Sequence, residues 1–237
     1  LVLVQYLQLI FGYSPLGSAL ALAPMMVPLV LLSAVAPWMT TRLGLRLMTV
    51  TGLLAIAAGF YFISRLDLDS TYVDVMWPTL IMSAGLGLTA APATAAIVAD
   101  TAVDKHGVAA AVNDATREIG AAIGIAVAGS VLAAGYSHNI APAIARLPPE
   151  ARGPVADSLA GALEVADRAG PAGQQLADFA KSAFLHGVEQ SAIVLALIAA
   201  AGAAILLVWA PGRASPDAGA SRSPAEPAQR SRSRARR

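Results

Sequence analysis

Charge is nearly absent from long stretches of the chain and crowded into short intervals between them. Leu1 to Thr41, Leu47 to Ser64, Val75 to Ala99 and Gln190 to Gly212 carry no formal charge at all. About 20 apolar residues suffice for a helix to cross the hydrocarbon core of a bilayer. In lipid, only helices and closed barrels satisfy their own backbone. The pattern therefore predicts an all-α fold, a polytopic transmembrane helix bundle of about six membrane spans. These are expected at about 1–11, 18–39, 47–64, 75–99, 108–136 and 190–211, with the first one truncated. The first two cannot be one helix, because Gly12-Tyr13-Ser14-Pro15-Leu16-Gly17 is a strong turn signal. Pro24 and Pro28 fall inside the second and should bend it.

Short polar loops are expected at 40–46, 65–74 and 100–107. The interval 138–187 is longer and contains Pro142, Pro148, Pro149, Pro154 and Pro171. It is too polar to span and reads as an external loop. Within it, Val155, Leu159, Leu163 and Ala166 suggest a weakly amphipathic helix, and Leu176, Phe179, Ala183 and Phe184 suggest another.

The stretch from Val108 to Leu132 departs from the other spans. It is one continuous helical pattern, yet it carries charges where they are costly. Asn113, Arg117, Gly120, Gly124 and Ala128 recur at steps of four, three, four and four. Those steps keep them on one stripe, roughly 80° wide. Gly120 and Gly124 form a G-x-x-x-G pair, which permits close approach of another helix. Asp114 and Glu118 lie on the adjoining face. A helix with an ionic turn beside a glycine seam should not turn that side to lipid.

Composition agrees. Hydrophobic residues make up 57% of the 237 and charged residues 13%, where a soluble domain carries about a quarter charged. Mean hydropathy is +0.64. There is no cysteine, so thiol chemistry is excluded. His106, His138 and His186 stand apart without metal-ligand spacing, and no G-x-S-x-G or other nucleophile motif occurs. No catalytic residue, metal, cofactor or nucleic-acid partner is expected, and the chain does not read as an enzyme. The net charge of +1 hides a basic end. Residues 213–237, rich in Ser, Pro, Ala and Arg, are expected to form a disordered tail. Its arginines place that tail in the cytoplasm, and counting back puts the loops near Thr40 and Asp100 on the same side. The chain opens inside an apolar run without Met, so it reads as the C-terminal part of a longer protein.

With these residues in hand the sequence resembles the major facilitator superfamily. More narrowly, it resembles the C-terminal half of a fourteen-helix drug:proton antiporter. YLQLIFGYSPLGSAL, from Tyr6 to Leu20, is similar to that half's first helix and loop. TRLGLR resembles the second copy of the superfamily's cytoplasmic loop motif through Arg42, Gly44 and Arg46. Thr41 stands where that motif usually carries an acid. GVAAAVNDATREIGAAIGIAVAGSVL resembles the penultimate helix, with Asn113, Arg117, Gly120 and Gly124 matching. The resemblance covers roughly residues 1–212. It implies a multi-pass protein of the cell membrane that exports small amphipathic molecules in exchange for protons. It also implies an N-terminal half, absent here, that holds most of the coupling acids.

Two readings of the polar turn stand side by side. Asn113, Asp114, Arg117 and Glu118 line a transport path or gate near its cytoplasmic mouth, or Arg117 and Glu118 simply mark the membrane surface at a helix start. Gly85, Gly87 and Pro92 form a hinge, or small residues that pack closely. For the whole chain, a proton-coupled secondary transporter competes with a non-transporting or degenerate scaffold and with a membrane-embedded enzyme.

Overall fold

The computed structural model describes residues 2–209. The expected basic tail, 213–237, and the last two residues of the expected final span lie outside the described residues. Among the described residues the chain is an all-α bundle without strands. Five of its helical stretches are long and apolar enough to cross a membrane. The helices are α1 (Val2–Leu9), α2 (Pro15–Leu22), α3 (Met26–Leu43), α4 (Leu45–Ile63) and α5 (Tyr72–Ala99). There follow α6 (His106–Ile144), α7 (Pro149–Asp157), α8 (Leu159–Arg168) and α9 (Gln174–Trp209).

Helix ends fall where local chemistry puts them. The second span begins at Pro15 rather than near Ser18, because the Ser14 hydroxyl accepts from the Gly17 N–H and Pro15 occupies the first turn. Pro24 does more than bend it. A short 3₁₀ turn, Ala23–Met25, separates α2 from α3. Two carbonyls at the break are taken up by side chains of α5. Tyr72 donates to Ala21 at 2.8 Å, and the Ser83 hydroxyl donates to Met25. The helix then runs on through Pro37 to Leu43.

The expected loop at 40–46 shrinks to one residue. Gly44, at φ 87°, ends α3 and starts α4. Only glycine turns the chain there without strain. Tyr72 opens α5 three residues earlier than the apolar pattern suggests. The Asp74 carboxylate accepts from the Thr71 N–H at 2.8 Å and from its hydroxyl at 2.7 Å, which fixes the start of the helix.

The interval 138–187 is largely helical instead of a loop. α6 continues to Ile144 and α9 begins at Gln174. With 39 and 36 residues, each has enough length for one crossing of about 20 residues and several further turns. α7 and α8 fill the space between these extensions. The pattern placed Val155 with Leu159, Leu163 and Ala166 on one helix. An extended Ser158 splits them, and its hydroxyl caps α8 by accepting from the Gly161 N–H. Val155, Leu159 and Ala162 are buried against Tyr136, Ile140, Ala180 and Phe184. The helical cap and the bundle thus share one core.

Helices packed in lipid gain little from apolar burial against each other, so close fit decides. α4 and α5 cross at Gly52 and Gly85, where a Cβ on Gly85 would lie 2.4 Å from the Gly52 carbonyl oxygen. α6 and α9 meet at Gly135 and Gly187, and a Cβ on Gly187 would lie 2.6 Å from the Leu132 carbonyl oxygen. Ser191 strengthens that seam by donating to the Ala128 carbonyl at 3.0 Å, fully buried.

The cap is tied down by the buried Tyr136 hydroxyl, which donates to the Val155 carbonyl at 2.8 Å. Tyr136→Phe leaves that carbonyl without a partner and should cost about 1–2 kcal/mol. The loss should appear as faster amide exchange across 149–168, with α4 and α5 unchanged. Equal exchange in the two proteins would mean that apolar burial alone holds the cap.

Candidate functional site

A groove of about 830 Å³ opens between α3, α5 and α6. It follows from register. On α5, Leu86, Ala90, Thr94 and Val98 recur every four residues and share one face. On α3, Leu29 and Ser33 face them across the gap. Arg117 of α6 closes the third side. Gly87 sets the width on one flank. A Cβ there would lie 2.9 Å from the Leu29 carbonyl oxygen, so α3 and α5 approach to backbone distance. Pro92 is fully buried on the same helix, and Gly85 holds α5 against α4.

The polar turn of α6 is partly assembled into this groove. Asn113 donates from Nδ2 to the Thr94 hydroxyl at 3.3 Å, bridging α6 to α5. Thr94 in turn donates to the Ala90 carbonyl at 3.0 Å. Arg117 lines the groove beside this bridge. Asp114 and Glu118 are exposed and do not line it. No carboxylate among the described residues comes within salt-bridge distance of Arg117, although Asp114 is three positions away.

The glycine seam above is open. A Cβ at Gly120 or Gly124 would meet nothing within 4 Å among the described residues. Val108, Val112, Ile119, Ile123 and Ile125 are likewise exposed. α6 therefore packs through its second half, at Ala128, Gly135, Tyr136 and Ile140, while its first half stands largely free apart from the Asn113 bridge. The Arg42–Gly44–Arg46 motif sits elsewhere, at the α3–α4 junction. Arg42 stacks over Trp38 with its guanidinium carbon 4.4 Å from the ring centre. Arg46 lies in the first turn of α4.

Ser33 and Thr94 were not singled out by the sequence pattern. Each is a small hydroxyl inside an apolar span, where it ordinarily back-bonds within its own helix. Thr94 does so, and its second role depends on Asn113 arriving from 19 residues away. The four-residue step of Leu86, Ala90, Thr94 and Val98 is present in the sequence. Nothing there distinguishes a groove-lining face from a lipid-facing one.

The arrangement is a multi-pass helical membrane protein with an open, mainly apolar groove edged by two hydroxyls, an amide and a guanidinium. No protein-family model matches the chain. It is 32% identical over 203 residues to the multidrug efflux pump LfrA of Mycolicibacterium smegmatis, covering 85% of this chain and 40% of that protein. It is 32% identical over 199 residues to the methyl viologen resistance protein SmvA of Salmonella typhimurium, covering 81% of this chain and 39% of that protein. Over 135 residues it is 30% identical to the cephamycin export protein CmcT of Amycolatopsis lactamdurans, covering 56% of this chain and 28% of that protein. The chain thus spans about two fifths of the length of LfrA and SmvA. These relatives are named as pumps, exporters or resistance proteins, none of them as an enzyme.

Proposed function

We propose that this chain is the C-terminal half of a fourteen-helix drug:proton antiporter of the major facilitator superfamily. Its task is the export of small amphipathic compounds across the cell membrane. The observation that carries this reading is the groove between α3, α5 and α6, with apolar walls for a hydrophobic guest and an Arg117–Asn113 edge that orients it. The names of LfrA, SmvA and CmcT support the same class of activity.

In this reading Arg117 and Asn113 touch the guest or form part of a gate. Asp114 and Glu118 flank the gate from the neighbouring face. Gly85, Gly87 and Pro92 keep α5 close to α3 and α4, so that these helices move as one body. The open stripe of Gly120 and Gly124 receives helices of the N-terminal half. The proton gradient drives rocking of one half against the other, exposing the groove to each side in turn. The loop motif Arg42–Gly44–Arg46 and the arginine-rich tail lie in the cytoplasm. The cap of α7 and α8 faces outside.

The test is efflux of a fluorescent dye from cells expressing the complete protein, with and without a proton uncoupler. Export that collapses when the gradient is discharged is the expected result. Dye loss indistinguishable from that of cells lacking the protein, uncoupled or not, would remove the transporter reading.

A further inference from the structure

We propose that the groove selects guests bearing an acidic head group, a carboxylate or phosphate, on an apolar body; this rests on the export reading above. Arg117 is the single charged residue among those lining the groove. The other polar groups at hand, Ser33, Thr94 and Asn113, are neutral. Among the described residues no carboxylate pairs with Arg117, and Asp114 and Glu118 stay off the groove wall.

Arg117 is exposed where it borders the groove, so its guanidinium is open to an incoming anion. Its planar fork of donors matches a carboxylate or phosphate with two parallel bonds. Leu86, Ala90 and Val98 offer apolar surface within the same groove. A volume of about 830 Å³ falls in the range that accepts a drug-sized molecule. An acidic amphiphile satisfies both requirements at once, with its head on Arg117 and its body along α5. A cationic guest finds no counter-charge on this wall.

The experiment is a fluorescence titration of the complete protein in phosphatidylcholine nanodiscs. The probes are a dansyl-labelled undecanoic acid and its methyl ester, which share a body and differ only in the acidic charge. The acid should bind about tenfold tighter than the ester, a gap that one charge-assisted contact supplies. Arg117→Gln should erase the gap by weakening the acid alone, and Arg117→Lys should keep part of it. Three results would overturn the proposal: no binding of either probe, equal binding of acid and ester to the native protein, or an Arg117→Gln effect that is equal for both or absent. The last pattern would point to an acid elsewhere in the protein as the partner of Arg117. The export reading fails separately, by an absence of uncoupler-sensitive efflux, whatever the probes do.

Discussion

Gly85→Val should force α4 and α5 apart at their crossing and lower the melting temperature by several degrees. The first atom of any side chain there would sit 2.4 Å from the Gly52 carbonyl oxygen and 2.8 Å from Ile56 Cγ1. A flexible side chain can swing aside, but a backbone carbonyl cannot. The helices must part, and the contacts along their crossing go with them. Overpacking a tight core costs about 1–3 kcal/mol. A clash against backbone lies at the upper end of that range, which corresponds to several degrees in melting temperature. Thermal unfolding of the purified protein reads this directly. Gly120→Ala is the control. Its added methyl meets nothing within 4 Å among the described residues, and alanine favours helix over glycine by up to about 1 kcal/mol. Equal melting temperatures for Gly85→Val and the native protein would show that the two backbones do not touch.

Arg117→Ala is expected to abolish uncoupler-sensitive export while the protein remains in the membrane at its normal level. The residue borders the groove, makes no ion pair among the described residues and packs into no core. Its removal should therefore spare the fold and strike function alone. The export assay asks whether Arg117 belongs to the path. Acid-versus-ester binding asks what the residue recognises there. Export at the native rate with equal protein in the membrane would return Arg117 to the alternative reading, a charge marking the membrane surface at a helix start.

Much of the architecture was legible because lipid imposes a simple rule. A spanning segment must be apolar and must satisfy its own backbone. The uncharged run at 75–99 lies within α5, and the run at 47–64 lies within α4 up to its C-cap, Ser64. The helices that carry the runs at 108–136 and 190–211 extend beyond the apolar stretches themselves. Hydropathy reports where a helix is greasy, and α6 and α9 continue as helices into polar sequence through Ile144 and back to Gln174. The pattern shows one weakly amphipathic helix where the cap has two, α7 and α8, split at Ser158. The cap's small apolar face, Val155, Leu159 and Ala162, becomes a core only against Tyr136, Ile140 and Phe184.

The glycines illustrate the limit from the other side. Gly120 and Gly124 have the spacing for close approach and meet nothing among the described residues. Gly135 and Gly187 are 52 positions apart and pack backbone to backbone. Spacing along one helix tells where contact is permitted. It carries no information about which helix arrives.

The sequence by itself determined that the chain is a membrane helix bundle, that it turns near Gly12, Gly44, Arg65 and Asp100, and which helix carries ionic groups. These follow from local chemistry: apolar length, proline and glycine geometry, and the cost of charge in lipid. Only the tertiary structure decided that Thr94 meets Asn113, that Ser33 and Arg117 line one groove, and that α5 lies close against both α3 and α4. Those facts depend on crossing positions between distant segments, and backbone-to-backbone fit chooses them rather than any property of one segment alone.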